Sequence, residues 1–275
     1  MTKKTELRLL QSIELGIESV TGPLDEVRNS IKKVKLMTNF MAEHELSTED
    51  KLFDNVEKLL EYRVLIGLIY LDLSSSIRAY LKSKYAYEQL FSTKQILVII
   101  NEGYKQIYGF VKVNEKGDSI TKYRNKSYWY EDIQVIINES LPELRGEYDS
   151  LTKKLDDYFT TNFDSIKEQR DLSVHYDRKA SKVYDMINGL DIEGTFKKLL
   201  PFLEILIEMF RFTEKMALTS SIKEKEKTNE MNLRLESTFD KLIDKVSNSI
   251  TENNEVSLND LVKIITKTKT DILSR

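Results

Sequence analysis

The sequence predicts an all-α fold. Apolar residues recur at spacings of three and four positions through almost every segment, whereas the alternation typical of strands is nearly absent. Glycine and proline are scarce, at nine and three among 275 residues, and this scarcity favours long helices with few turns. A composition of 40% hydrophobic and 32% charged residues fits the same class.

The N-terminal region, residues 1–46, predicts a pair of helices at about 4–20 and 24–43. Thr21–Gly22–Pro23 is expected to form the turn between them, because glycine and proline interrupt helical patterns. Pro23 suits the first turn of the second helix, where a backbone N–H has no partner to lose.

The next region predicts a long helical hairpin. Ser47 and Asp50 resemble a capping box that opens a helix running to about Leu81. A second helix is expected from about Tyr85 to Gly109, where the glycine offers a C-cap. The core face of the first helix is then formed by Leu52, Val56, Leu59, Ile66, Tyr70, Leu73 and Ile77.

Residues 110–130 break the helical period. Glu115–Asp118 predicts the turn of a short hairpin, which is the β candidate of this sequence. Helices are expected to resume at about Glu131, to be interrupted near Pro142 and to continue to about Ile187. Residues 47–219 are therefore interpreted as one helical bundle with an insertion near 110–130.

In the last part of the bundle, the sequence from Thr195 to Leu218 predicts the most buried helix. Pro201 is near enough to its start to bend this helix without necessarily ending it. Residues 220–275 are interpreted as a helical extension. The charged sequence of this extension carries a narrow apolar seam, which a partner helix or the body of the protein must cover: Met231, Leu235, Phe239, Leu242 and Val246. The final helix is expected to start at Ser257.

Composition limits the chemistry that is available. The absence of Cys excludes disulfides, thiolate zinc sites and a cysteine nucleophile, and it fits a reducing compartment. No apolar run reaches the roughly 20 residues that span a bilayer, and charges interrupt the N-terminal stretch where a signal peptide needs an apolar core. We therefore expect a cytoplasmic protein without a membrane partner. A net charge of −3 provides no global attraction for nucleic acid, so any RNA contact depends on a local basic patch.

Most metal and cofactor sites are excluded by counting. The chain has two histidines, and His44 begins an HExxH-like stretch that has Thr48 where the second histidine is required. Met41 and Leu172 stand where a di-iron Glu-x-x-His pair needs carboxylates. Phosphate-binding glycine loops and the GxSxG elbow do not occur, so neither a metal nor a cofactor is expected.

One stretch, residues 168–181, retains plausible chemistry. Arg170 supplies a permanently charged guanidinium that can hold phosphate oxygens, and His175 supplies an imidazole that moves protons near neutral pH. Asp171 precedes His175 by four positions, so on a helix its carboxylate could orient the ring. Arg170 and His175 lie about 140° apart on an ideal helix, so a bend, a helix start or a second chain is needed to bring them together.

Arg170, Asp171 and His175 resemble the motif of the HEPN superfamily, in which Arg and a polar residue are followed by His after four to six intervening positions. The resemblance implies an up-and-down helical bundle and a homodimer whose two motifs form a metal-independent RNase site. It also implies a bacterial defence setting such as abortive infection or a toxin–antitoxin system, with a protein antitoxin as partner in the latter.

The leading hypothesis is therefore an endoribonuclease in which His175 acts as base and, from the second chain, as acid. Arg170 stabilises transition-state charge and Asp171 supports both. RNA contacts are predicted at cations interleaved with aromatic rings: Lys122, Arg124, Lys126, Tyr128 and Trp129. The alternatives are a solvated loop whose aromatic rings lie back on the bundle, a motif that forms only surface ion pairs, an inactive module that binds RNA, nucleotide or protein, and a structural helical dimer.

Overall fold

A computed structural model describes residues 3–43, 52–109, 112–113, 119–120, 126–174, 180–249 and residue 267. Across these residues the chain is a helical bundle, which confirms the predicted all-α class. The α-helices are α1 Lys3–Glu43, α2 Leu52–Lys82, α3 Ala86–Tyr108, α4 Gln134–Glu139, α5 Arg145–Val174, α6 Ala180–Asn188 and α7 Ile192–Ser249. A π-helix, Trp129–Ile133, leads into α4, and a 3₁₀ turn, Pro142–Leu144, leads into α5.

Contacts divide the chain into two units, Met1–Ala217 and Leu218–Arg275. In the first unit α2 packs against both α1 and α3, and α3 packs against α5. Aromatic rings fill the layer between α3, α5 and the first part of α7. Tyr104 lies at the centre of this layer, with the rings of Tyr158, Phe159, Phe163 and Phe202 around it.

The predicted N-terminal helix pair is wrong, because α1 continues without a break through Pro23. A buried apolar stripe extends across the expected turn, with Ile13 before it and Leu24, Val27 and Ile31 after it. Continuous packing of this stripe on α2 outweighs the hydrogen bond that Pro23 removes from the helix. Tertiary packing thus overrides a local breaker signal.

The α2–α3 hairpin follows the prediction closely. Gly109 ends α3 with φ 75°, in the left-handed region that favours glycine, and its N–H donates to the Lys105 carbonyl oxygen at 2.9 Å. On α2 the predicted core residues Leu59, Ile66, Leu73 and Ile77 are buried, together with Tyr62 and Ile69. The capping box at Ser47 and Asp50 lies outside the described residues.

The predicted β-hairpin is present as two short antiparallel strands, β1 Lys112–Val113 and β2 Ser119–Ile120. Their pairing joins Lys112 to Ile120 and Val113 to Ser119. The turn expected at Glu115–Asp118 lies outside the described residues.

Helix α7 passes through Pro201, as predicted, but the expected end at Leu218 is wrong, because the helix continues to Ser249. Tyr158 donates its hydroxyl to the carbonyl oxygen of Lys198 at 3.1 Å, close to the position where the proline disturbs the backbone ladder. The buried face of α7 contains Leu199, Phe202, Leu206, Met209 and Met216. The side chains of the predicted seam from Met231 to Val246, and the helix expected at Ser257, lie outside the described part of the chain.

Asp191 caps the N-terminus of α7. Its Oδ1 accepts from the N–H of Gly194 at 2.8 Å, and its carbonyl oxygen accepts from the N–H of Thr195 at 2.9 Å. We expect Asp191→Ala to lower the free energy of unfolding by about 1 kcal/mol, because the Gly194 N–H loses its partner. Urea unfolding measures this change. Asp191→Asn, which keeps a capping oxygen, should lose less than half as much, and equal losses in the two variants would contradict the capping role.

Gly67 allows α1 and α2 to approach each other. A Cβ at Gly67 would lie 2.5 Å from Cδ2 of Leu24, a buried residue of α1, whereas nothing lies within 4 Å of a Cβ at Gly22. We expect Gly67→Ala to destabilise the protein by about 1–3 kcal/mol through overpacking. Gly22→Ala should stabilise the protein by about 0.5–1 kcal/mol, because alanine loses less backbone entropy in a helix. Thermal unfolding of both variants tests the contrast, and shifts of the same sign would contradict it.

Candidate functional site

Arg170 lies near the end of α5, where a carboxylate from another helix holds its guanidinium. Nη2 of Arg170 donates to Oε1 of Glu102 on α3 at 2.7 Å. The Arg170 side chain is only 24% exposed, so solvent screens this ion pair less than one on the open surface. The contact fixes a permanent positive charge in the helix that leads towards His175.

Asp171 contributes the second carboxylate. Nη1 of Arg170 donates to Oδ1 of Asp171 at 2.6 Å, so the neighbouring residue also orients the guanidinium. His175 lies outside the described residues, and the predicted contact between Asp171 and His175 therefore stays a prediction.

Two further residues of α3 complete the cluster around Glu102. Nδ2 of Asn101 donates to Glu102 Oε1 at 2.6 Å, and Nζ of Lys105 lies 3.3 Å from the same oxygen. Asn101 is fully buried, so the packing of α3 fixes the position of its amide. Three donors therefore converge on one carboxylate oxygen, and we refer to Asn101, Glu102, Lys105, Arg170 and Asp171 as the Arg170 cluster.

The Arg170 cluster is electrically balanced, with two cations, Lys105 and Arg170, against two carboxylates, Glu102 and Asp171. It has little net attraction for an anion at long range. What the cluster provides is a cation in a fixed position. A guanidinium held between two carboxylates keeps one orientation, so it loses little conformational freedom when it binds a phosphate. Such preorganised charge is what stabilises a developing oxyanion.

The sequence does not reveal the role of Asn101, Glu102 or Lys105. Glu102 stands 68 positions before Arg170, and only the packing of α3 against α5 brings the two side chains together. The signal in the sequence is weak: the stretch from 96 to 108 of α3 is mainly apolar, and its polar positions are Asn101, Glu102, Lys105 and Gln106. A solvent-exposed helix face gives the same pattern.

The predicted RNA-binding loop is only partly described. Lys126 is exposed, Tyr128 is 37% exposed, and Lys122 and Arg124 lie outside the described residues. The prediction that Trp129 contacts RNA is wrong, because its ring is fully buried and stacks on Tyr148 with centroids 4.7 Å apart. Its Nε1 donates to Oγ1 of Thr152 at 2.9 Å, so the indole is a satisfied core group and cannot stack on a base.

The described residues contain no group of three or more His, Asp or Glu side chains placed to hold a metal ion. One helix segment, Asp54–Lys82, has the length and composition to cross a membrane. That segment belongs to α2, which packs against both α1 and α3. A buried core helix can have the same length and composition as a membrane-spanning one.

Comparison with protein-family models, with curated proteins and with solved structures gave no match for this chain. The residues and geometry of the Arg170 cluster, together with the sequence of the segment that carries His175, are therefore the features that indicate a function.

Proposed function

We propose that the protein is a metal-independent endoribonuclease that acts through Arg170, Asp171 and His175. The observation that carries this proposal is the guanidinium of Arg170, which Glu102 and Asp171 hold in place five residues before His175 in the sequence. A partly exposed, preorganised cation, together with an imidazole that can move protons near neutral pH, is suited to phosphodiester chemistry.

In the proposed reaction, His175 removes the proton of a 2′-hydroxyl, and the resulting oxygen attacks the adjacent phosphorus. Arg170 stabilises the negative charge of the phosphorane-like transition state. The bond from phosphorus to the 5′-oxygen breaks, and His175 of a second copy donates a proton to that leaving oxygen. The products are a 2′,3′-cyclic phosphate and a 5′-hydroxyl, so no water is consumed in this step.

The proposed reaction needs both an acid and a base, and this requirement favours a homodimer. One chain supplies one His175, whereas a homodimer with a two-fold axis near the Arg170 cluster supplies two. We expect a dimer mass in solution by light scattering. A strict monomer at the concentrations of an activity assay would exclude the composite site.

The direct test is incubation of the purified full chain with mixed RNAs in EDTA. We expect cleavage to persist, because Arg170 and His175 replace the charge stabilisation and proton transfer that a metal ion supplies in other nucleases. Activity that appears only when Mg²⁺ is restored would overturn the metal-independent mechanism. Absence of cleavage under all conditions would overturn the enzyme proposal.

One observation favours a second candidate, an inactive module that binds RNA, nucleotide or protein. Glu102 and Asp171 balance the charge of Arg170 and Lys105, as in a structural ion-pair network. In that case neither the wild-type protein nor Arg170→Ala cleaves RNA, and the substitution only lowers stability. The unfolding temperature and RNA cleavage of the same preparation therefore distinguish the two candidates.

A further inference from the structure

A hollow lies where α1, α2 and α7 meet. Helix α2 contributes Ile66 and Gly67 to its lining, α1 contributes Val20, and α7 contributes Ile207 and Phe210. The hollow measures about 230 Å³. Engineered apolar cavities of about 150 Å³ take up benzene, which has six carbons, so this hollow has room for an apolar body of about nine carbons.

The two ends of the hollow differ, because α7 runs antiparallel to α2 along it. The guanidinium of Arg63 lies over the ring of Phe210, 4.6 Å from the ring centroid. Farther along α2, the ring of Tyr80 lies 4.9 Å from that of Phe196, which comes earlier in α7. Phe210 and Arg211 therefore lie at the end of the hollow that is nearer to Arg63.

Two arginines give this end a positive charge. Arg211 belongs to the lining and is exposed, and Nε of Arg63 is buried without a hydrogen-bond partner. Within the part of the chain that the structure describes, neither guanidinium pairs with a carboxylate, whereas those of Arg78, Arg145 and Arg170 do. Because neither charge is balanced, this end of the hollow attracts an anion.

The other polar groups of the lining are placed against α1. Oγ of Ser19 donates to the carbonyl oxygen of Gly16 at 2.9 Å. The hydroxyl of Tyr70 lies in the space that a Cβ on Gly16 would occupy, so its ring packs closely on the backbone of α1. As the structure describes it, the lining contains neither Asp nor Glu. The hollow therefore combines apolar surface with positive charge at one end.

We propose that this hollow binds a small organic anion with an apolar body, of the class of medium-chain carboxylates. The carboxylate lies at Arg211, whose planar guanidinium can hold both of its oxygens. The hydrocarbon chain lies along the hollow against Val20, Ile66 and Ile207, and its removal from water supplies affinity. The site goes beyond the proposed function, because none of its residues belongs to the Arg170 cluster.

The length of the bound chain is tested by calorimetric titration of the full-length protein with straight-chain carboxylates at neutral pH. We expect one site per chain for octanoate. From butanoate to octanoate, affinity should rise about fourfold for each methylene, which corresponds to about 0.8 kcal/mol of transfer free energy. Beyond about ten carbons the rise should stop, because the hollow is then full.

The role of the charge is tested by Arg211→Glu. We expect octanoate to bind at least tenfold more weakly, because repulsion replaces a charge-assisted hydrogen bond. Affinity for 1-octanol, which has the same chain without the charge, should change by less than about twofold. Arg8→Glu is the matched control, since Arg8 is an exposed arginine of α1 outside the lining, and it should leave both affinities within about twofold.

The position of the site is tested by Ile207→Trp, which places a larger ring in the hollow. Ile207 is 39% exposed, so the fold should tolerate the change, and thermal unfolding of the same preparation checks this. Both octanoate and 1-octanol should then bind at least tenfold more weakly.

Four results would overturn the inference. They are absence of octanoate binding by the wild-type protein, a rise in affinity that continues unchanged beyond ten carbons, equal octanoate affinity of Arg211→Glu and Arg8→Glu, and unchanged binding by folded Ile207→Trp. The second would indicate an open apolar surface, and the third an apolar cavity without preference for an anion. RNA cleavage is not a readout in these titrations, so their outcome is independent of the proposed ribonuclease.

Discussion

Replacing His175 by alanine is expected to lower the rate of RNA cleavage by about 10²–10⁴-fold, because a positioned acid or base contributes that much to proton transfer. In a homodimer the substitution removes both proton carriers at once. RNA binding should persist, because the substitution removes a proton carrier and keeps the guanidinium of Arg170. Initial rates at saturating RNA in EDTA measure the loss as a change in kcat.

The chain supplies its own matched control for this prediction. His44 is the only other histidine in the sequence and has no role in the proposed reaction, so His44→Ala removes the same chemical group and leaves Arg170, Asp171 and His175 unchanged. Its cleavage rate should stay within about twofold of the wild-type rate. Equal activity of the His175→Ala and wild-type proteins would contradict the assignment, as would an equal loss in both histidine variants.

Replacing Arg170 by alanine is expected to lower kcat by about 10²–10³-fold, the usual cost of removing one preorganised donor from a developing oxyanion. The ion pairs with Glu102 and Asp171 are lost as well, so the unfolding temperature must be measured on the same preparation. Arg145→Ala is the matched control, because Arg145 lies at the exposed start of α5 and pairs with Asp149 at 3.0 Å. That variant should keep its activity.

Glu102→Gln separates position from charge. Glutamine retains an oxygen that can accept from Arg170 Nη2, but it removes the negative charge that orients the guanidinium. We expect a smaller fall in kcat than for Arg170→Ala, with KM for RNA unchanged or lower because one carboxylate no longer repels phosphate. A kcat equal to that of the wild type would show that Glu102 has only a structural role.

The sequence predicts the parts of the fold that depend on local signals. Gly109 ends α3 where expected because only a residue tolerant of positive φ suits that cap, and the three- and four-residue period locates the buried face of α2. Pro23 shows the limit of such signals. Its local preference for a turn is overcome by the continuous stripe that α1 packs on α2, which involves residues on both sides of the proline.

The candidate site shows a different limit. Arg170 and Asp171 are adjacent in the sequence, so their pairing could be anticipated, whereas Glu102 reaches Arg170 only through tertiary packing. Cations interleaved with aromatic rings around Trp129 predict an RNA-binding loop, but composition does not specify which way a ring points. The same pattern is produced by a core tryptophan that stacks on Tyr148 beside a basic loop.

The chemical identity of the cleaved RNA ends tests the proposed reaction most directly. A short RNA is incubated with the wild-type protein in EDTA, and the fragments are weighed by mass spectrometry beside a matched substrate in which every 2′-hydroxyl is methylated. Attack by the 2′-oxygen predicts fragments ending in a 2′,3′-cyclic phosphate and starting with a 5′-hydroxyl, and no cleavage of the methylated strand. Fragments with a 5′-phosphate and a 3′-hydroxyl, or cleavage of the methylated strand, would contradict the mechanism assigned to Arg170 and His175.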